Sequence, residues 1–184
     1  MSMFGPIIEG ERLRLIPVTV EMAPHFCAWL ADTDVTRYLG MIYPPTLEFE
    51  KEWVEKIGRN DTDLVWAVQL RESEKVIGTT GIHAINWQNR SAITGNLIGA
   101  KDEWGKGYGS EVVALRTAFA FGTLGLEKLK THVFGANIAS RRALEKAGYQ
   151  TVGIARHDLW RFGRWHDAWL GEILRDDWLA AQQD

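Results

Sequence analysis

The chain has 184 residues, 46% hydrophobic and 24% charged, with 21 basic against 24 acidic side chains and a formal charge of −3. This fits one domain with a sizeable core and excludes a disordered chain, a fibre and broad nucleic-acid binding, which carries a basic footprint. A single cysteine, Cys27, excludes an intramolecular disulfide framework and a cysteine-rich zinc site, and no apolar run approaches the roughly 18 residues of a membrane span.

Met1 to Gly10 has no basic segment leading into an apolar one, so no secretory signal is expected. The expectation is a cytoplasmic chain, one domain over residues 1–184 with its core at about 11–178. No metal, nucleic-acid or membrane partner is expected.

Residues 11–18 alternate polar and apolar at first and read as a strand. Thr19 is positioned to cap a helix over 20–31, where Met22, Phe26, Trp29 and Leu30 fall at helical spacing. A short helical stretch over 34–39 ends at Gly40. After Pro44 and Pro45, Thr46 caps a helix over 47–57 with Phe49, Trp53 and Ile57 four residues apart. Its Glu48, Glu50, Glu52 and Glu55 interleave with Lys51 and Lys56, the pattern of a solvated face or of a surface that attracts a cation.

The period then changes to two. Leu64, Trp66, Val68 and Leu70 alternate as a strand, and further strands follow over 76–85 and 91–99. An amphipathic helix over 107–123, a strand over 129–135 and a helix over 137–147 closed by Gly148 come next. A final hairpin over 149–162 and 166–174 turns around Phe162-Gly163-Arg164. The order predicts a mixed α/β domain with hairpins rather than a doubly wound parallel sheet.

Trp104-Gly105-Lys106-Gly107-Tyr108-Gly109-Ser110-Glu111 lies between a strand and a helix. Glycines there permit a tight turn and close approach of a ligand, and the helix start offers free N–H groups to an anion such as a diphosphate. The same pattern also serves as a plain helix-capping turn. A P-loop is excluded, because Gly105-Lys106 is followed by Gly107 rather than Ser or Thr. A dinucleotide fingerprint fails as well, with Val112 and Ser110 at the positions of its third glycine. Further on, Asn137 opens a helix after a strand, with Ser140 in the first turn; both also fit simple capping roles.

Together these stretches resemble the GNAT N-acetyltransferases, closest to the branch of ribosomal-protein N-terminal and spermidine acetyltransferases. Gly107-Tyr108-Gly109 matches the end of the family's coenzyme-A motif, with Trp104 where Gln or Arg is usual. Asn137 with Ser140, the segment Glu145-Lys146-Ala147-Gly148-Tyr149, and Gly163-Arg164-Trp165-His166-Asp167 carry the rest. The resemblance implies an α+β fold: a mixed, mostly antiparallel sheet with a central parallel-strand split between 91–99 and 129–135, flanked by helices.

It implies acetyl-CoA as donor and a primary amine as acceptor, a small molecule or a protein N-terminus. Leu97, Ile98 and Gly99 would meet the pantetheine arm. The turn from Gly105 through Lys106, Gly107, Tyr108 and Gly109 to Ser110 would hold the diphosphate. Asn137 would bond the arm or guide the thiol.

The tyrosine that often serves as acid in the family is Leu144 here, so Ser140 is the candidate group beside the thiolate. The base has alternatives in His83 and His157. The carboxylate position of ribosomal-protein members aligns with Leu159, and neighbouring Asp158 is expected to point to the other sheet face.

An α-amino group, with a pKa near 8, is roughly one-tenth neutral at pH 7, whereas a lysine-like amine needs about 4.6 kcal/mol to deprotonate. Without a strong base, a low-pKa amine is the easier acceptor. Trp160, Arg161, Arg164, Trp165 and His166 would shape the acceptor site or a homodimer contact. Two other classes stay open: a non-catalytic acyl-CoA-binding sensor, favoured by Leu144, and a phosphate- or nucleotide-binding module using only the turn.

Overall fold

A computed structural model describes residues 6–41, 43 and 45–183. The predicted break at Pro44 falls outside the described residues. Strands are β1 (Ile8–Glu9), β2 (Leu13–Pro17), β3 (Leu64–Leu70), β4 (Val76–Asn86), β5 (Ser91–Ile98), β6 (Lys128–Phe134), β7 (Gln150–Arg161) and β8 (Arg164–Leu174). Helices are α1 (Ala23–Leu30), α2 (Thr33–Thr36), α3 (Leu47–Ile57), α4 (Tyr108–Gly122), α5 (Ile138–Lys146) and α6 (Arg175–Ala180). The strands form one sheet in the order β1-β2-β3-β4-β5-β6-β8-β7, with β5 and β6 its one parallel pair.

Alternation along β3 explains the two layers of helices. Trp66 and Val68 face one side, where α4 buries Val112, Val113, Ala120 and Phe121. Val65 and Ala67 face the other, against Phe26 of α1 and Val54 of α3. Helix α3 has the predicted bounds because Thr46 Oγ1 accepts the Phe49 N–H at 3.2 Å.

The helix predicted over 20–31 is a 3-10 turn at Val20–Met22 followed by α1, and Thr19 makes no side-chain cap. Pro24 stands in the first turn of α1, where its missing N–H costs nothing. The short stretch predicted over 34–39 is α2, capped by Asp32. Strand β1 and helix α6, two and six residues long, are too short to show a period in the sequence.

The feature that positions the site is the β5–β6 junction. The strands pair at Ser91–Lys128, Ala92–Leu129 and Ile93–Lys130 and no further. Two threonines make the last links: Thr94 Oγ1 donates to the Lys130 carbonyl at 3.3 Å, and Thr131 Oγ1 to the Thr94 carbonyl at 3.4 Å. Beyond them β5 follows β4 to Ile98 while β6 follows β8 to Phe134, and the sheet opens.

Candidate active site

A cavity of about 1190 Å³ occupies the opening. It brings together Leu97, Ile98, Gly105, Gly107, Tyr108, Gly109, Ser110, Asn137 and Ser140 from the sequence-predicted set. Gly99 and Lys106 lie outside its lining. A Cβ on Gly99 would fall 2.1 Å from the Trp29 indole, so that glycine makes room for a tryptophan.

The Gly99 N–H donates to the Ile77 carbonyl at 2.8 Å. In an alternating ladder, the backbone groups of Leu97 and Gly99 therefore face β4, and those of Asn96 and Ile98 face the split. Trp104 Nε1 already donates to the Ile98 carbonyl at 2.7 Å. Asn96 is the split-facing residue that sequence reasoning missed.

The glycine turn has the predicted form. Gly105 and Gly107 sit at φ +77° and +83°, conformations that side chains rarely adopt. The N–H groups of Gly105 through Gly109 have no backbone acceptor among the described residues, whereas the Ser110 N–H bonds the Gly107 carbonyl at 3.2 Å.

Arg12, just before β2, braces this turn. Its Nη1 donates to the Lys106 carbonyl at 2.9 Å, its Nε to Glu111 at 2.8 Å, and its guanidinium lies 4.8 Å over the Tyr108 ring. Nothing in the local sequence signals a brace from nearly a hundred residues away. The Lys106 ammonium meets Glu103 at 2.8 Å. Lys106 first, then Lys75, holds the Glu103 carboxyl below its usual range.

Asn137 caps α5, its Oδ1 accepting the Ser140 N–H at 3.2 Å, and lines the cavity. Leu144 lines the same cavity, buried.

Two histidine–carboxylate pairs border the cavity. His83 Nδ1 lies 3.0 Å from Asp63 Oδ1, which also accepts the Ala84 N–H at 3.3 Å. The imidazole rests over Gly81, where a Cβ would stand 2.3 Å from Nε2. With Nδ1 held by a carboxylate, Nε2 is the nitrogen left to accept a proton.

The second pair is His132 with Asp158, at 2.6 Å. Asp158 does not point away as expected. A bulge between Ala155 and Leu159, with His157 at φ +50°, brings its carboxylate to His132. The His157 N–H donates to Asp167 at 2.9 Å, and its side chain does not line the cavity.

Because paired residues share a face, His83, Ile93 and Gly95 look toward α1 and α3. The wall there contains Phe26, Trp29, Tyr38, Glu50 and Trp53. Arg161 closes one side by donating to the Leu39 carbonyl at 2.7 Å and the Met41 carbonyl at 3.2 Å. Trp160, Phe162 and Trp165 at the hairpin stay exposed.

On the opposite face Arg116 of α4 is fully buried, its Nη1 donating to Thr80 Oγ1 at 3.0 Å and the Gly95 carbonyl at 2.8 Å. Thr94 Oγ1 meets the Tyr149 hydroxyl at 3.1 Å.

The split sheet and the turn beneath it meet the expectations of the GNAT resemblance, and residues 12–150 match the family described as the acetyltransferase (GNAT) domain. The chain belongs to that family and is an N-acetyltransferase. It is 30% identical over 173 residues to the uncharacterized N-acetyltransferase YoaA of Bacillus subtilis (strain 168), covering 92% of this chain and 97% of that one.

Its fold is similar to the spermidine N-acetyltransferase of Vibrio cholerae solved with CoA and spermine (TM-score 0.86, 20% identity, 92% of this chain and 99% of that one). It is also similar to a Vibrio cholerae protein assigned as a ribosomal-protein-serine acetyltransferase (TM-score 0.74, 16% identity, 95% and 99%). At those identities the two structures speak to the fold alone. Among the described residues no helix is long and apolar enough to cross a membrane.

Proposed function

We propose that the enzyme transfers an acetyl group from acetyl-CoA directly to the primary amine of a small molecule, as one cytoplasmic acetyltransferase domain. The observation that carries this is a single cavity running from the free N–H groups of the α4 turn, along the open edge of β5, to His83. A CoA thioester fits these donors. Its diphosphate suits the N–H groups of Gly105 through Gly109 at the positive end of a helix. Its amide-bearing arm suits the split-facing edge of β5, where the Asn96 N–H and carbonyl and the Ile98 N–H have no strand partner among the described residues, with Asn137 lining the same cavity.

The reaction forms one C–N bond and breaks one C–S bond, while one proton leaves nitrogen and one reaches sulfur. His83 Nε2 takes the first, with Asp63 fixing the tautomer. Ser140, one helical turn from Asn137, meets the thiolate by its hydroxyl or through water. Gly81 and Gly95 keep the path from His83 to the split clear, since nothing lies within 4 Å of a Cβ at Gly95.

Calorimetry with acetyl-CoA, CoA and ATP, followed by free-CoA release over an amine panel that includes peptides with free N-termini, tests the proposal. Acetyl-CoA binding with amine-dependent CoA release is the expected result. Binding of acetyl-CoA without turnover on any amine would overturn the proposal.

A further inference from the structure

We infer that Glu50 is an acceptor-binding residue that selects amines carrying a second, positively charged nitrogen, so the substrate is a diamine-type organic cation. The inference deepens the transfer reading and rests on it for the position of the reacting nitrogen.

Four glutamates on α3 suggested a solvated face, and for Glu48, Glu52 and Glu55 that is what the fold provides. Glu50 differs. It is 4% exposed, stands on the stripe of α3 that also buries Val54, and lines the cavity. Its carboxylate makes no ion pair or hydrogen bond among the described residues.

The other sheltered acids among the described residues are matched. Glu103 has Lys75 and Lys106, Glu111 has Arg12, and Asp63 has His83 and Thr62. Of the basic side chains near this wall, Arg37 is held by Asp34 at 3.1 Å and Lys101 by Asp32 and Asp34 at 3.1 and 2.7 Å. An unmatched carboxylate is costly to bury and desolvation pushes the Glu50 carboxyl up, so a cation entering the cavity is the partner that would hold it ionised.

The surrounding walls suit the same ligand. Phe26 lies 5.7 Å from Trp29 and 6.3 Å edge-on from Trp53, ring centroid to centroid. Aromatic faces attract ammonium groups and also cover a hydrocarbon spacer. His83 looks onto the same side of the sheet. One nitrogen therefore stays protonated against Glu50 while the other, neutral, reaches the split.

The test compares α,ω-diaminoalkanes with n-alkylamines of equal length on the CoA-saturated protein, by calorimetry and by acetylation kinetics. Wild type should favour the diamine at least tenfold. Glu50→Gln should erase that preference, raise the diamine KM about tenfold or more, and leave acetyl-CoA affinity within twofold. Its melting temperature at neutral pH should hold or rise, because an unmatched charge has been removed. Glu48→Gln, on the exposed face of the same helix, should keep the preference.

A preference that survives Glu50→Gln overturns the inference. So does a wild type that ignores diamines while acetylating other amines, an outcome that leaves the transfer proposal standing. Absence of acetyl-CoA binding would instead sink the transfer proposal. Diamine binding lost in Glu50→Gln would then still support the cation site, and its retention would overturn it.

Discussion

Gly109→Ala separates a glycine needed by the ligand from one needed by the fold. Gly107 is the poorer test. At φ +83° any side chain strains the backbone, so lost binding would also follow from a deformed turn. Gly109 lies in the first turn of α4 at an ordinary negative φ, and a Cβ built there meets nothing within 4 Å. The free protein therefore has no use for a glycine at this position. Alanine is the better helix former by up to about 1 kcal/mol, here roughly 0.5 because the site is terminal. The melting temperature should rise by about 1–2 °C.

In a helix the Cβ tilts toward the N-terminus, which at Gly109 is the space proposed for the diphosphate. Losing one charge-assisted hydrogen bond costs about 1.5–3 kcal/mol, which corresponds to a roughly ten- to hundredfold weaker Kd. Calorimetry with acetyl-CoA reads the second effect, and melts with and without ligand read both. Stability should rise while affinity falls. A Gly109→Ala protein that binds acetyl-CoA like wild type would refute the turn as the diphosphate cradle.

Ser140→Ala should lower kcat roughly ten- to a thousandfold with acetyl-CoA binding intact; unchanged turnover with about 1 kcal/mol or less of lost stability would make Ser140 a helix-start residue only. His83→Gln should lower kcat/KM about a hundredfold or more, and Asp63→Asn less, since it only orients the ring. Steady-state kinetics at fixed pH checks both, and an active His83→Gln enzyme removes it as the base. Glu103, with its folded pKa depressed by Lys106 and Lys75, adds stability above the ordinary glutamate value of about 4.3 that is lost as pH falls through the lower folded value. Urea melts down to about pH 3 should show a flatter acid limb for Glu103→Gln, and an unchanged limb would contradict the pairing.

Local signals were legible in the sequence where local physics decides. Thr46 starts α3 through its own hydroxyl, the alternation at Leu64–Leu70 survives as β3, and the glycines at 105 and 107 mark the positive-φ turn. Arg12, Asp63 and Glu50 were not legible as site residues, because their meaning comes from pairing across the fold. Arg12 needs β2 beside α4, and Asp63 needs the turn into β3 beside His83. Glu50 looks like its helical neighbours until α1 and α3 close over it. Asp158 was misread for a related reason: alternation assumes an unbroken strand, and the bulge in β7 breaks it.

Strand alternation also separates the two substrates that the proposed reaction requires. Odd-numbered positions 81 and 83 of β4 and 93 and 95 of β5 face α1 and α3, with His83 and Glu50 on that side. The even-numbered Thr80 and Thr94 face α4, where Arg116 and Tyr149 hold them. A donor anchored at the start of α4 and an acceptor held under α3 are therefore screened from each other by the sheet wherever its strands stay paired. In the proposed reaction, the break beyond Ile93–Lys130 is where a thioester from one side would reach an amine on the other. Two small residues keep that passage open: Gly81 accommodates the imidazole, and Gly95 leaves the route beside it empty.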